Sequence, residues 1–232
     1  MKKLIPVILV LVFGVIGCKW LGSVRDTTSG TNGTGYGIGK SSSSTSGRAK
    51  ASSDPRADVV EASKKFLELP YFTANMEGQG QTAIKSQVQY SSPDKFHVKY
   101  LGGTGSGMEM IWIGKESYMN LNGKWSKMPA SNTPIPNLRD SFTEEGLKTL
   151  TDVTAEGEDS VDGKPALVYG YKNVTPVGNY PFTSKIWVSQ ETGVPMKIYV
   201  EYTNGTLKNM TVNYDTESKV AIEPPVIGNA RN

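Results

Sequence analysis

Apolar and polar residues alternate with a period of two along much of the chain after residue 80. In the stretch 82–90 apolar positions alternate with lysine and glutamine, and in 95–101 they alternate with His97 and Lys99. Such alternation is typical of half-buried β-strands. The turn sequence SSPD separates the two stretches, so they are predicted to form a hairpin.

The same pattern continues toward the C-terminus and predicts a series of further strands. Asn122-Gly123 is a strong hairpin signal, and Asp162-Gly163 and Asn204-Gly205 predict further turns. The predicted strands are 107–114, two within 116–128, 152–161, 164–171, 184–190, 195–202 and 207–215. About ten or eleven strands joined by tight turns imply a predominantly antiparallel sheet.

Two segments have the spacing of helices. Residues 52–69 carry a broad apolar face at helical spacing, and Ser53 or Asp54 can cap the start of this helix. Residues 141–150 predict a second, short helix that is interrupted by Gly146. A sheet of eleven strands must curl, close or stack, and the two helices are expected to cover one face of it. The fold class is therefore mainly β, of the α+β type.

Large apolar residues occupy both faces of the strand GMEMIWI. Met108, Met110 and Trp112 alternate with Ile111 and Ile113, so this strand is either covered on both faces or lines a cavity on one. Most of the methionines outside the initiator fall in predicted strands, although methionine is not a strong strand former. Its flexible thioether suits an adaptable apolar surface. Ordinary core packing is the alternative, but a curved sheet rich in methionine favours a cavity for an apolar ligand.

The N-terminus predicts export and lipid attachment. A short basic start precedes an apolar run that ends at Cys18, the only cysteine of the chain. The run is too short to span a membrane, so residues 1–17 are predicted to be a signal peptide. The stretch VIGC resembles the bacterial lipobox, which implies that Cys18 carries diacylglyceryl and N-acyl chains such as palmitate. The alternative is an ordinary signal peptide with an incidental cysteine.

The composition separates a linker from a folded domain. Residues 18–53 are rich in Gly, Ser, Thr and Asn and cannot bury enough surface to fold, so they predict a tether behind the acylated cysteine. Residues 54–232 are enough for one domain with an irregular C-terminal tail. The formal net charge is +3 with dispersed basic residues, which gives no sign of a nucleic-acid partner.

No set of residues predicts catalysis or metal binding. The single histidine, His97, falls on the polar face of its strand and is interpreted as a solvent-facing residue. Too few zinc ligands are present, and no nucleophile elbow occurs. The acidic run 156–162 is interpreted as a solvated strand edge, and the glycines of 102–107 as a hairpin loop. We expect neither an enzyme nor a bound metal or cofactor.

Three stretches resemble the LolA/LolB/LppX superfamily of periplasmic lipid and lipoprotein carriers. KIWVSQETGVPMKIYVEY is similar to their tryptophan strand, T-G-x-P turn and following strand. GKESYMNLNGKWSKM resembles their tyrosine strand, Asn-Gly turn and tryptophan strand, and VDGKPALVYGY resembles their D-G-K entry into a strand. The resemblance covers about residues 56–216. It implies an eleven-stranded antiparallel half-barrel, with helices over its concave face and a hydrophobic cavity between them.

Alternation and this resemblance together select eight residues as the expected lining of the cavity. They lie in four predicted strands and are Phe96, Val98, Met110, Trp112, Ile198, Val200, Met210 and Val212.

The expected function is that of an envelope lipoprotein which binds or carries lipid or lipoprotein acyl chains. Its anchor would lie in the outer membrane, facing the periplasm, if the host has two membranes. Two alternatives remain open. One is an RseB-like sensor or interaction module with an envelope protein partner, and the other is a structural envelope lipoprotein with a filled core.

Overall fold

The computed structural model shows an open antiparallel sheet that curves into a half-barrel, with helices over its concave face. By contacts between residues, Ala49–Asn232 forms one compact unit. The predicted signal peptide, Cys18 and the linker up to residue 48 lie outside the described residues. The structure describes residues 49–81, 83–103, 105–129, 138–174 and 180–227.

The described helices occur where their spacing predicts them. Helix α1 spans Pro55–Leu67, and the side chain of Asp54 caps it by accepting a hydrogen bond from the amide of Ala57. A short 3₁₀ turn at Asp140–Phe142 leads into helix α2, Glu144–Leu147. The second helix is therefore shorter than the predicted 141–150.

Eleven strands form one sheet among the described residues. Their bounds are β1 Tyr71–Gly80, β2 Ile84–Ser91, β3 Lys95–Gly103, β4 Glu109–Ile113, β5 Glu116–Leu121, β6 Lys124–Lys127, β7 Thr151–Val161, β8 Lys164–Val174, β9 Pro181–Ser189, β10 Pro195–Tyr202 and β11 Leu207–Asp215. The spatial order is β6-β5-β4-β3-β2-β1-β11-β10-β9-β8-β7. The sheet thus consists of two meanders, and the pairing of β1 with β11 joins them at the centre.

Strand β1 has no counterpart among the strands predicted from alternation. Its sequence YFTANMEGQG contains Asn75, Gly78 and Gly80, residue types that are depleted in strands. Nevertheless, it pairs with β2 on one side and β11 on the other. A side chain at Gly80 would lie only 2.1 Å from the carbonyl oxygen of Thr206. This glycine is therefore required by the close approach of the neighbouring backbone.

The concave face is the one on which α1 packs. Cross-strand partners continue the same face from strand to strand: Phe72 lies opposite Tyr90, Tyr90 opposite Phe96, and Phe96 opposite Trp112. Phe66 of α1 sits on this row, with its ring centroid 4.9 Å from that of Phe72. Aromatic rings therefore form the centre of the main core.

The convex face is covered at strands β4 and β5 by the C-terminal segment 216–227, which we call the strap. The strap has no helix or strand, but Val220 and Ile222 are buried in a second apolar cluster with Ile111 and Tyr118. The Lys95 ammonium donates to the carbonyl oxygen of Ile222 at 3.3 Å. Strand β4 is thus covered on both faces, as one of the two interpretations of GMEMIWI requires.

The acidic run lies on an exposed sheet edge, as expected. Strand β7 has a partner only on its β8 side, and nearly all of its side chains are exposed. Glu156 pairs with Lys185 at 2.7 Å, and Asp159 accepts a hydrogen bond from the Trp187 indole. Charges of this kind protect an edge strand against pairing with another chain.

Candidate functional site

Helix α1 divides the concave face into a covered half and an open half. The covered half lies beneath the helix, where Phe66 contacts Phe72, Phe142 and Tyr214 with centroid distances of 4.3–4.9 Å. Burial of one such phenylalanine contributes about 1.5–3 kcal/mol. This half is therefore a packed core.

Polar contacts hold the N-terminal end of α1 over strand β8. The Tyr169 hydroxyl donates to Asp58 at 2.9 Å, and the amide of Ser52 donates to the same carboxylate oxygen at 2.8 Å. Burial alone would raise the pKa of Asp58, but these hydrogen bonds outweigh it and lower the pKa. Arg56 donates to the carbonyl oxygens of Leu147 and Leu150, which ties α1 to α2.

Arg139 fixes the other end of α1 to the sheet. Its guanidinium lies over the Tyr90 ring, 4.6 Å from the centroid, and donates to the Tyr90 hydroxyl and to the carbonyl oxygen of Leu67. Because Leu67 ends α1 and Tyr90 belongs to the concave face, this arginine joins the helical cover to the sheet. No sequence pattern singles it out.

The open half of the concave face carries apolar side chains that are only partly buried. They border the main core and come from both meanders of the sheet. The members are Tyr100, Met110, Tyr171, Phe182, Tyr202 and Met210, and we call them the open strip. Burial raises the pKa of Tyr100 and Tyr202, and raises that of Tyr171 to about 12. The tyrosines therefore stay neutral at physiological pH, and the strip presents no charge.

All eight residues of the expected lining lie on the concave face. The register places Val98 opposite Met110, Ile198 opposite Val212, and Val200 opposite Met210. Six of the eight are buried in the main core, whereas the two methionines are partly exposed members of the open strip. The structure thus places together on one face all eight residues that alternation and the resemblance selected. Most of the selected positions, however, are filled by packing.

Residues that the sequence did not select complete the open strip. Tyr171, Phe182 and Tyr202 lie on the concave faces of β8, β9 and β10, where Tyr171 is opposite Ser184 and Tyr202 is opposite Phe182. The alternation of these strands contained the necessary signal. It could not show how much of the concave face α1 covers, and the extent of this cover determines which residues stay accessible.

His97 is not a freely solvated residue, contrary to its interpretation from the sequence. It lies on the convex face, as expected, but its side chain is only 15% exposed. Its Nε2 is 2.8 Å from a carboxylate oxygen of Glu109, and the Trp125 ring is nearby, with a centroid distance of 6.4 Å. Burial lowers the pKa of His97, and the contact with Glu109 opposes this shift.

A polar groove of about 210 Å³ lies on the convex face of β7–β10. Ion pairs cross it, with Lys172 2.8 Å from Asp152 and Lys185 2.7 Å from Glu156. The absence of a side chain at Gly170 leaves room for the Glu156 carboxylate. This groove is lined by charges, so it is unlike the open strip and unsuited to an acyl chain.

Two searches of the described residues concern other kinds of site. Within ranges 49–81, 83–103, 105–129, 138–174 and 180–227, no group of three or more histidine, cysteine, aspartate or glutamate side chains could hold a metal ion. In the same part of the chain, no helix has the length and hydrophobicity of a membrane span.

Comparisons with known proteins agree on the fold. No protein-family model and no curated protein sequence matches the chain. The structure is similar to that of the lipoprotein LppX from Mycobacterium tuberculosis, with 14% identity, a TM-score of 0.54, and coverage of 72% of this chain and 97% of LppX. LprF from Mycobacterium bovis matches with 12% identity, a TM-score of 0.57, and coverage of 74% and 96%. At these identities the likeness shows the fold alone, and it confirms the expected half-barrel, of the kind seen in LppX.

Proposed function

We propose that this protein is a lipid-anchored protein of the bacterial cell envelope that binds acyl chains on its concave face. The observation that carries this proposal is the open strip. Its partly exposed apolar side chains border a packed core, and none of them carries a charge. Exposed apolar patches of this kind mark ligand grooves or interaction sites.

The composition of the strip suits flexible hydrocarbon. Met110 and Met210 have unbranched side chains that adapt to irregular apolar surfaces. Each methylene that leaves water contributes about 0.8 kcal/mol, so five methylenes of an acyl chain contribute about 4 kcal/mol before the cost of ordering. Since 4 kcal/mol corresponds to a dissociation constant of only about 1 mM even before that cost, useful affinity requires a larger part of one chain.

The membrane anchor is proposed from the sequence. Cys18 would carry two or three acyl chains, which hold a protein on a bilayer far more firmly than a single chain does. A Gly/Ser-rich linker of about 35 residues spans roughly 30–35 Å, which allows the domain to approach a bilayer or stand clear of it. The similar fold of LppX, itself a lipoprotein, supports this placement in the envelope. We propose the outer membrane if the host has two membranes.

A structural role with a filled core is the second candidate. The observation that favours it is the burial of six of the eight expected lining residues, among which Val98 is 2% exposed and Val212 is 3% exposed. In that case the open strip would hold no ligand, and the protein would act through its anchor and its surface.

Mass spectrometry of bound lipid tests the two candidates against each other. The whole mature chain would be produced with Cys18→Ser, so that no anchor is attached, and purified without detergent. We expect lipid with long acyl chains to co-purify in a near-stoichiometric amount. Met210→Lys places a charge within the open strip and should abolish the co-purification, whereas Val226→Lys, on a fully exposed strap residue, should not. Lipid-free wild-type protein that also fails to bind added fatty acid would favour the filled core.

A further inference from the structure

Trp112 carries a buried hydrogen-bond donor that is not satisfied. Its side chain lies on the concave face of β4 and is 4% exposed. Within the described part of the chain, no acceptor lies within hydrogen-bond distance of the indole Nε1. Buried tryptophan N–H groups usually have a partner, because an unmet buried donor costs about 1–3 kcal/mol.

Another tryptophan of the same sheet shows the usual arrangement. Trp187 lies on the convex face of β9, and its Nε1 donates to Asp159 at 2.8 Å. The donor of Trp187 is thus satisfied within the protein, although this side chain is less buried than that of Trp112. Of these two tryptophans, therefore, only Trp112 has an unmet donor.

The neighbours of Trp112 limit what its partner can be. Phe96 and Ser117 lie opposite it on the adjacent strands, and Met110 precedes it by two residues on the same face. An ordered water needs two to four polar partners, and among these three side chains only Ser117 is polar. None of these neighbours is charged, so a buried anion would lack compensation.

We propose that Trp112 donates a hydrogen bond to a neutral carbonyl group of the bound ligand, such as the carbonyl of an acyl ester. This inference rests on the proposed function and names the chemical class of the ligand. The acyl chain would continue from the ester past Met110 into the open strip, since Met110 is the next residue of β4 on that face.

A matched pair of ligands tests this inference. Monopalmitoyl glycerol and 1-O-hexadecyl glycerol have the same headgroup and chain length, but only the first has a carbonyl. Their affinities for the whole mature chain with Cys18→Ser would be measured by displacement of a fluorescent fatty acid. We expect the ester to bind about threefold to tenfold more tightly than the ether, the usual net contribution of one hydrogen bond. Trp112→Phe should remove this preference, and the matched control Trp187→Phe should keep it.

The possible results separate the inference from the proposed function. If the fluorescent fatty acid and both glycerol lipids fail to bind, the proposed function is wrong. If both lipids bind equally to the wild-type protein, or if Trp112→Phe keeps the preference, the function stands and the role of Trp112 is wrong.

An NMR measurement on protein without a Trp112 substitution covers the case in which Trp112→Phe does not fold. The indole N–H signal of Trp112 in ¹⁵N-tryptophan-labelled protein should move downfield with the ester and much less with the ether. Equal shifts would overturn the inference.

Discussion

Replacing Ile222 by alanine tests the packing of the C-terminal strap, a feature that no sequence pattern revealed. Ile222 is 3% exposed and packs with Ile111 and Tyr118 on the convex face. Removal of a buried isoleucine side chain beyond Cβ costs about 2–5 kcal/mol. The strap has no regular structure and can relax into the vacated space, so we expect the lower part of this range, about 2–3 kcal/mol.

Urea and thermal unfolding of the whole mature chain with Cys18→Ser measure this effect. In a domain of this size, 1 kcal/mol shifts the melting temperature by about 2–4 °C, so Ile222→Ala should lower it by roughly 5–10 °C. Val226→Ala is the matched control, because Val226 lies four residues further along the strap and is 92% exposed. Equal unfolding midpoints for the two variants would refute the reasoning and show that the strap does not pack on the sheet.

Three further predictions concern the helical cover and the anchor. Because hydrogen bonds lower the pKa of Asp58 below 3.8, its contribution to stability is complete above about pH 4 and is lost as the pH falls through the lowered value. Tyr169→Phe should flatten this part of the stability–pH curve. An unchanged curve would contradict the contact between Tyr169 and Asp58. Gly146→Ala should destabilise the domain by about 1–3 kcal/mol in urea unfolding, because the new Cβ would lie 2.3 Å from the Asp140 carbonyl oxygen. A neutral effect would contradict the close packing of the 3₁₀ turn on α2. Cys18→Ala should leave an unacylated precursor, and a wild-type N-terminal peptide without acyl mass would disprove lipid attachment.

Alternation and turn signals were sufficient to predict ten of the eleven strands. Strands such as β2 and β3 place apolar residues at every second position, so their phase is evident. Strand β1 was not predicted, because its glycines and asparagine weaken the alternation and because its stability derives from pairing with strands on both sides. Pairing between distant segments such as β1 and β11 leaves no local trace in the sequence.

The accessible part of the concave face could not be predicted in the same way. Val200 and Met210 have the same phase in neighbouring strands, yet Val200 is buried and Met210 is partly exposed. This difference in exposure depends on where α1 and the 3₁₀ turn pack on the sheet. Contacts distant in sequence, such as those of Arg139 with Tyr90 and Leu67, determine that position.

Binding of a fluorescent fatty acid to the open strip tests the central claim most directly. The whole mature chain with Cys18→Ser would be titrated alongside Met110→Lys and the control Val226→Lys, with unfolding midpoints recorded for all three. Because Met110 is partly exposed, a lysine there can extend its ammonium to water, and the variant should stay folded. We predict saturable binding by the first and third proteins and a loss of at least tenfold in affinity for Met110→Lys. Absence of saturable binding to the wild-type chain, or equal affinity in all three proteins, would contradict an acyl-chain site on the concave face.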